Sequence, residues 1–323
     1  MRAAVLHTHG QPPSHTDHPD PVPSAGYSVV RVTAAPVVPL DLLCASGTSY
    51  FGAPAVPYVP GVQGVGVVEQ SEAVPPGTKV FFATSAGMAA GDGSFAERSA
   101  VPDADLIVLD TPVPDTEVAA LGLSRVAAWM ALTWRAQLKP GEQVLVLGGG
   151  GAVGQVAIGA ARVLGATRVV AVCRSDAARD RALAAGADEV VASGSDVDAL
   201  TARLTAATSG AVDVVIDPVF GIPAIAASRI LATHGRLVNL GGASGDEATF
   251  SSSVLRGRTA SVLGYTNNAI TPDQRRDALT AVLEHAAAGA IAVAYETVGL
   301  ADIATAWHRQ STGATDGRLV LTI

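Results

Sequence analysis

Cysteine is nearly absent from this sequence, which contains only Cys44 and Cys173. Two cysteines cannot build the disulfide framework of a small secreted protein, and they supply too few thiolates for a structural zinc site. No run reaches the ~18 consecutive apolar residues that a membrane helix requires. The first ten residues, MRAAVLHTHG, also lack the basic segment and apolar core of a secretory signal. These absences predict a cytoplasmic protein that does not associate with membranes.

An excess of positive charge is also missing. Lys and Arg number 21 against 29 Asp and Glu, which gives a net charge of −8, so attraction to nucleic acid is not expected. Only 15% of the residues are charged and 49% are hydrophobic, a balance typical of a compact enzyme. The 323 residues suffice for two domains, each with its own core. We therefore expect the partner to be a small-molecule substrate.

The most informative stretch of the chain is a strand–helix–strand pattern. Residues 143–147 form a short aliphatic run typical of a strand that is buried on both faces. Residues 152–164 place apolar side chains at helical spacing, and residues 168–173 form a second aliphatic run. The pattern predicts a complete βαβ unit.

Four consecutive glycines separate the first strand from the helix, and Gly149, Gly151 and Gly154 form a G-x-G-x-x-G pattern. Such a turn lets a pyrophosphate approach the backbone and the N–H groups of the helix N-terminus, here those of Ala152 and Val153. The alternative is a glycine-rich loop in an unrelated α/β protein. Because strand, glycines, helix and strand occur in the required order, the pattern favours dinucleotide binding.

The end of the second strand indicates which dinucleotide binds. NAD-preferring enzymes carry an acidic residue there, whereas this chain has Cys173 followed by Arg174 and Ser175, with Arg179 one turn later. Guanidinium groups bind a 2′-phosphate through paired hydrogen bonds, and Ser175 could cap the next helix and donate to the same phosphate. Asp176 argues mildly against this interpretation, and the arginines could simply be solvated. We expect NADP(H) as the cofactor.

The remaining segments predict two domains. Residues 1–118 are β-rich, and from residue 143 onward strands and helices alternate, which implies a parallel sheet covered by helices on both sides. We therefore predict an inserted nucleotide-binding domain over residues 119–259. A substrate domain formed by residues 1–118 and 260–323 would then be discontinuous.

Ligands of parallel sheets bind beyond the carboxyl ends of the strands. Pro218 follows one predicted strand, Leu240 and Gly241 end the next, and Tyr265 follows a further strand. We expect these four residues to border the cofactor.

Several short motifs resemble those of one enzyme family. They are PLD at residues 39–41, PGVQGVGVV at 60–68, KPGE at 139–142, the glycine turn, GAD at 186–188 and GRLVL at 317–321. The chain resembles the medium-chain dehydrogenase/reductase superfamily, specifically its zinc-independent, quinone oxidoreductase-like branch. The resemblance implies an α/β protein with a GroES-like, β-rich catalytic domain, a doubly wound Rossmann domain and commonly a homodimer.

Departures from the family pattern concern the metal. Zinc alcohol dehydrogenases of this family carry Cys and His ligands where this chain has Val38 and Val62, and Gln63 replaces the Glu that follows the His. A third ligand position falls near Leu123. Because valine has no lone pair to donate, we expect no metal in this protein.

The resemblance also suggests candidate catalytic residues. In related enoyl reductases a Tyr follows the Asp-containing motif, and Tyr50 lies close to that position. The alternative is a loop residue that packs against substrate or solvent. Asp41 matches the family motif, but a structural hydrogen bond within its own turn is the better interpretation. Trp129 and Trp134 are more readily interpreted as core residues at helical spacing than as a platform for substrate.

Without a metal to stabilise an alkoxide, reduction of a conjugated carbon–carbon bond is easier than oxidation of an alcohol. The leading hypothesis is an NADPH-dependent oxidoreductase that reduces an enone, a quinone or a similar unsaturated molecule. A carbonyl or iminium reductase of a biosynthetic pathway is the first alternative, and a non-catalytic NADPH-binding protein is the second.

Overall fold

The structure is a computed structural model that describes all 323 residues. The chain forms two units. The terminal unit comprises Met1–Gly122 together with Ala294–Ile323, and the central unit comprises Leu123–Val293. The central unit therefore interrupts the terminal unit in sequence.

The chain contains fifteen β-strands and nine α-helices. The strands are β1 (Arg2–Val5), β2 (Ser14–Asp17), β3 (Tyr27–Val37), β4 (Gln63–Gln70), β5 (Lys79–Ala83), β6 (Arg98–Pro102), β7 (Leu106–Val108), β8 (Gln143–Leu147), β9 (Arg168–Cys173), β10 (Glu189–Ala192), β11 (Val212–Asp217), β12 (Leu231–Asn239), β13 (Ser261–Gly264), β14 (Tyr295–Gly299) and β15 (Arg318–Thr322). The helices are α1 (Pro39–Ala45), α2 (Asp115–Met130), α3 (Ala152–Val163), α4 (Asp176–Ala184), α5 (Val197–Ala207), α6 (Gly221–Ser228), α7 (Ser252–Arg258), α8 (Pro272–Ala287) and α9 (Ile303–Thr312).

The terminal unit is built around the long strand β3. This strand pairs antiparallel with β4, β6 and β15, and it belongs to a seven-stranded sheet in the order β14-β15-β3-β4-β5-β7, with β6 on β3. A separate hairpin pairs β1 with β2. The sheet and helix α9 enclose a core that includes Val30, Phe82, Phe95 and Trp307. Such burial of aliphatic and aromatic surface stabilises the unit.

The central unit contains one parallel sheet in the order β10-β9-β8-β11-β12-β13. Its middle strands are almost wholly buried, as expected for strands covered on both faces. The strand order reverses between β8 and β11, because the chain runs outward through β9 and β10 and then returns. This reversal defines the position where open α/β sheets bind ligands. The predicted combination of a β-rich unit and a Rossmann-like parallel sheet is confirmed.

The boundaries of the two units differ from the predicted ones. The first boundary lies at Gly122 rather than at residue 118. At Gly122 the backbone of α2 leaves the helical conformation, with φ of +44°. The second lies at Ala294 rather than at residue 260. The prediction was wrong there because β13 pairs with β12 as the sixth strand of the parallel sheet, and α8 follows it with buried Leu279 and Val282. The stretch therefore belongs to the central unit.

Three local elements also differ from the sequence interpretation. The proline-rich segment before β3 contains strand β2, and helix α1 follows β3, although neither was predicted. The sequence predicts a short strand over residues 236–240, whereas strand β12 begins at Leu231. The left-handed conformation of His234, with φ of +63°, interrupts the alternation of side chains that would have revealed the longer strand.

Candidate functional site

The glycine turn joins β8 to α3 in the central unit. Gly148 has φ of +65°, a conformation that residues with a Cβ rarely adopt, and the Gly151 N–H donates to the Gly148 carbonyl oxygen at 3.0 Å. Helix α3 then begins with Gly151 as its N-cap. The first N–H groups of a helix have no acceptor within it. Those of Ala152, Val153 and Gly154 therefore form a positively polarised end suited to an anion.

Steric crowding explains two of the three motif glycines, and open space explains the third. A Cβ on Gly149 would lie 2.6 Å from Cβ of Ala171, and one on Gly154 would lie 2.6 Å from Cα of Gly149. A Cβ on Gly151 would meet no atom closer than 3.4 Å. Packing within the protein thus requires glycine at 149 and 154, whereas glycine at 151 leaves the backbone accessible to a ligand. This arrangement fits a pyrophosphate.

Helix α4 packs directly on the glycine turn, which the sequence reasoning missed. A Cβ on Gly150 would lie 2.5 Å from Cα of Ala178. The Gly150 carbonyl oxygen accepts two side-chain hydrogen bonds, from Arg181 Nε at 3.0 Å and from Gln155 Nε2 at 3.0 Å. The spacing of Ala178 and Arg181 is the signal that could have indicated the contact, because residues three apart share one face of a helix.

The end of β9 presents the polar residues predicted for the 2′-phosphate. Ser175 is the N-cap of α4, and its Oγ accepts a hydrogen bond from the Ala178 N–H at 3.3 Å. Arg174, Ser175 and Arg179 are all exposed. No acidic side chain occupies the strand end itself, where Cys173 is buried. These residues can meet an anionic group without a carboxylate at the strand terminus, as a 2′-phosphate requires.

The carboxyl ends of β11 and β12 bring together three further predicted residues. The Leu240 N–H donates to the Asp217 carbonyl oxygen at 2.9 Å, and a Cβ on Gly241 would lie 2.7 Å from the Pro218 carbonyl oxygen. Asn239, which the sequence reasoning missed, donates from Nδ2 to the Gly241 carbonyl oxygen at 2.8 Å and to that of Asp217 at 3.2 Å. Its signal is an amide side chain directly after the buried aliphatic pair Leu237 and Val238. Burial raises the pKa of Asp217.

Tyr265 lies at the same edge of the sheet, next to β12. Its N–H donates to the Asn239 carbonyl oxygen at 2.9 Å, and its hydroxyl donates to Asn267 Oδ1 at 2.7 Å. The ring packs edge-on against Trp134 with a centroid separation of 6.2 Å, and burial raises the pKa of the phenol. Trp134 is 38% exposed, so its interpretation as a core residue was wrong. Tyr265 therefore lies at the carboxyl end of the parallel strands, and its hydroxyl is engaged by Asn267.

In the terminal unit, Asp41 organises the start of α1. The residue is 1% exposed, and its carboxylate accepts hydrogen bonds from the Val38 N–H at 2.8 Å and the Val62 N–H at 2.9 Å. Burial raises the pKa of Asp41 to about 7, against the opposing charge of Arg318. Arg318 is half-buried, and desolvation of its guanidinium lowers its pKa to about 10. Because both carboxylate oxygens face the backbone, the geometry agrees with a structural role and not with acid–base catalysis.

The residues at the positions of the family's zinc ligands do not fit a metal. Val38 is 6% exposed and Val62 is 2% exposed, and Asp41 holds their backbones together. Neither side chain has a donor atom. Gln63 is buried, and its Oε1 would lie 2.6 Å from a Cβ on Gly122. No group of three or more His, Cys, Asp or Glu side chains is arranged to hold a metal ion.

Tyr50 lies on the loop that follows α1. It is 81% exposed, and its ring centroid lies 4.1 Å from that of Phe51. The Phe51 N–H donates to Ser49 Oγ at 3.1 Å, which shapes the turn. Tyr50 is open to solvent while Asp41 is buried, so the structure does not present the two candidate catalytic side chains to a common ligand.

Comparison with known proteins agrees with the two-unit architecture of a dinucleotide-binding dehydrogenase. The family model "Alcohol dehydrogenase GroES-like domain" matches residues 24–112, and the model "Zinc-binding dehydrogenase" matches residues 152–284. The chain is 31% identical over 306 residues to a phenolphthiocerol/phthiocerol polyketide synthase subunit of Mycobacterium tuberculosis, a match that covers 91% of the chain and 13% of that protein. It is 32% identical over 229 residues to the quinone oxidoreductase-like protein 2 of Mus musculus, covering 69% and 63% respectively.

Solved structures resemble the whole chain. A mycobacterial quinone oxidoreductase superposes with a TM-score of 0.89 at 25% identity, and all of both chains is covered. The quinone oxidoreductase of Thermus thermophilus, solved also with NADPH, superposes with a TM-score of 0.80 at 29% identity, again over all of both chains. The chain spans less than two thirds of the length of the two curated relatives named above.

The chain belongs to the medium-chain dehydrogenase/reductase superfamily, in its quinone oxidoreductase-like branch. This membership confirms the resemblance seen in the short motifs. None of the helices combines the length and the apolar character needed to cross a bilayer.

Substitutions at Gly151 and Gly154 test whether the two glycines serve ligand binding and packing, respectively. We expect Gly154→Ala to lower the free energy of unfolding by about 2 kcal/mol, because its Cβ meets backbone atoms, and Gly151→Ala to change it by less than about 1 kcal/mol. Gly151→Ala should instead weaken NADPH binding, because its Cβ enters the space left for the pyrophosphate. Urea unfolding and calorimetric titration measure the two effects. Equal destabilisation by both substitutions would contradict this account.

Asp41 makes stability depend on pH. Its pKa is raised from 3.8 to about 7, so between these values the folded state retains a proton that the unfolded state has released. The contribution of Asp41 to the free energy of unfolding is fully present below about pH 4 and is lost as the pH rises through 7. Between these values it falls by about 1.4 kcal/mol per pH unit. We expect the free energy of unfolding of the wild type, relative to that of Asp41→Asn, to fall over this range in urea titrations. A difference that stays constant from pH 4 to 8 would refute the prediction.

Proposed function

We propose that the protein is an NADPH-dependent, zinc-independent oxidoreductase that reduces a conjugated enone, a quinone or a similar unsaturated small molecule. The observation that carries the proposal is the end of β9, where Cys173, Arg174 and Ser175 replace the acidic residue of NAD-preferring enzymes. The structural neighbours solved with NADPH support the same cofactor. The central unit would bind the dinucleotide, and the terminal unit would provide the residues that contact the substrate.

The residues of the central unit fit the cofactor. The N–H groups at the start of α3 would bind the pyrophosphate over the open backbone at Gly151. Arg174, Ser175 and Arg179 would bind the 2′-phosphate, and Pro218, Leu240, Gly241 and Tyr265 would border the remainder of the molecule. When bound, NADPH supplies a hydride from its nicotinamide ring. The chain itself contributes orientation and hydrogen-bond donors.

The apolar residues of the terminal unit define the class of reaction. Val38 and Val62 offer no ligand for a Lewis acid, so the substrate must already be polarised. In a conjugated enone or quinone, hydride addition to the electron-poor carbon moves the negative charge to the carbonyl oxygen, and the resulting enolate then takes up a proton. Hydrogen-bond donors and exclusion of water are sufficient assistance for this step.

We assign different roles to the two candidate catalytic residues. The exposed hydroxyl of Tyr50 is the proposed donor of the proton that the enolate takes up. Asp41 is a positioning residue, because its carboxylate holds the backbone of Val38 and Val62. Its substitution is therefore expected to act on the shape of the terminal unit.

The polyketide synthase relative, which matches 91% of the chain, supports a biosynthetic role, which is the setting of the second candidate function. The protein would then be a carbonyl or iminium reductase that serves a biosynthetic pathway. The substrate would be delivered as an intermediate of that pathway, while the cofactor residues keep the same roles.

We propose in addition that the protein is a cytoplasmic homodimer. Strand β13 forms one edge of the parallel sheet, and Val262 on this strand is 37% exposed. An unpaired edge strand with exposed apolar side chains can pair with a second copy of the chain. Sedimentation equilibrium would reject the dimer if only a monomer is present at micromolar concentration, and cell fractionation tests the location.

Steady-state oxidation of NADPH tests the function. We expect turnover with members of a panel of quinones and enones, and activity that survives dialysis against a zinc chelator. Turnover of ketones or imines alone would favour the carbonyl or iminium reductase. Tight NADPH binding without turnover of any acceptor would instead support a non-catalytic binding protein.

Arg174→Ala tests the cofactor preference. We expect NADPH affinity to fall about tenfold or more, because a charge-assisted hydrogen bond contributes roughly 1.5–3 kcal/mol, while NADH affinity stays nearly constant. The control Arg256→Ala removes an exposed guanidinium from α7 and should affect neither dinucleotide. Calorimetric titration measures the dissociation constants of both dinucleotides. An equal loss of affinity for NADPH and NADH would refute the role of Arg174.

A further inference from the structure

One carbonyl group of the glycine turn is held by side chains from two different helices. The Gly150 oxygen accepts hydrogen bonds from Arg181 Nε of α4 and from Gln155 Nε2 of α3, each at 3.0 Å. The Gly151 N–H, on the other side of the same peptide group, donates to the Gly148 carbonyl oxygen at 3.0 Å. The peptide group between Gly150 and Gly151 is therefore fixed from both ends.

Arg181 occupies the face of α4 that packs on the turn. Ala182 beside it is fully buried, and Ala178 one turn earlier contacts Gly150. Arg179 and Asp180 are exposed. The charge of Arg181 also reaches the end of β9, because it lowers the pKa of the Cys173 thiol against the larger effect of burial. The guanidinium thus contacts the glycine turn and lies within electrostatic reach of the strand end that precedes Arg174.

This placement has a consequence for the N-terminus of α3. The helix begins directly after the peptide group that Arg181 holds, so the direction of its first N–H groups depends on that peptide group. A binding site that is already ordered loses less conformational entropy when the ligand binds. The positive charge beside the turn also favours an anion there.

We propose that Arg181 is a positioning residue for the pyrophosphate of the dinucleotide, because through Gly150 it holds the glycine turn in the conformation that presents the N–H groups of α3. The inference rests on the proposed dinucleotide binding and goes beyond the 2′-phosphate contacts. Arg174 distinguishes NADPH from NADH, whereas Arg181 supports the binding of both. It should equally support ADP-ribose, which contains the pyrophosphate without the nicotinamide.

Calorimetric titration of Arg181→Met with NADPH, NADH and ADP-ribose tests the proposal. We expect all three affinities to fall by a similar factor, about tenfold, with the NADPH-to-NADH ratio unchanged. Arg181→Lys keeps the charge and one donor and should retain intermediate affinity. Arg256→Met on α7 is the matched control, because it removes an exposed guanidinium far along the chain from the turn, and it should bind like the wild type.

Amide hydrogen exchange of the ligand-free protein provides a readout independent of affinity. We expect faster exchange at residues 149–154 in Arg181→Met, with the strands of the parallel sheet unchanged. Wild-type affinity in both Arg181 variants, or a loss confined to NADPH, would overturn the inference while leaving the proposed function intact. A wild-type protein that binds none of the three ligands would overturn both.

Discussion

The close approach of backbone to backbone at the glycine turn is the constraint on which the cofactor site depends. Gly154 in the first turn of α3 lies against Gly149, Gly149 lies against β9, and Gly150 lies against α4. A side chain at any of these positions would separate elements that the parallel sheet holds in register. Gly151 alone has open space before it. The turn is therefore closely packed at three glycines, while the backbone at the fourth remains accessible to an anion.

In the terminal unit the corresponding constraint is the link between Val38 and Val62, whose side chains carry no donor atom for a metal. Asp41 joins the backbones of Val38 and Val62, because its two buried side-chain oxygens accept hydrogen bonds from their N–H groups. A buried carboxylate is costly unless its oxygens are satisfied, and here backbone N–H groups satisfy them. The carboxylate connects two segments where related dehydrogenases use metal ligands. This is the physical basis for proposing chemistry that needs no Lewis acid.

Local sequence patterns were sufficient to predict a structural element where one stretch of chain contained all of its interacting residues. The βαβ unit, the cap formed by Ser175 and the parallel sheet were predicted because periodicity and spacing determine them. Strand β13 was assigned to the wrong unit because its partner, β12, lies more than twenty residues earlier. Strand β12 was predicted too short because its left-handed residue, His234, breaks the alternation. Pairing over such distances leaves no local signal.

The sequence by itself determined the superfamily, the order of strands and helices, and the residue types at the glycine turn and at the end of β9. These features depend on interactions between near neighbours in the chain. Only the tertiary structure decided that Arg181 and Gln155 hold the Gly150 carbonyl, that Asn239 joins two strand ends, and that the carboxylate of Asp41 faces inward while Tyr50 faces solvent. These facts depend on the direction of each side chain after the elements have packed, which spacing along the chain does not specify.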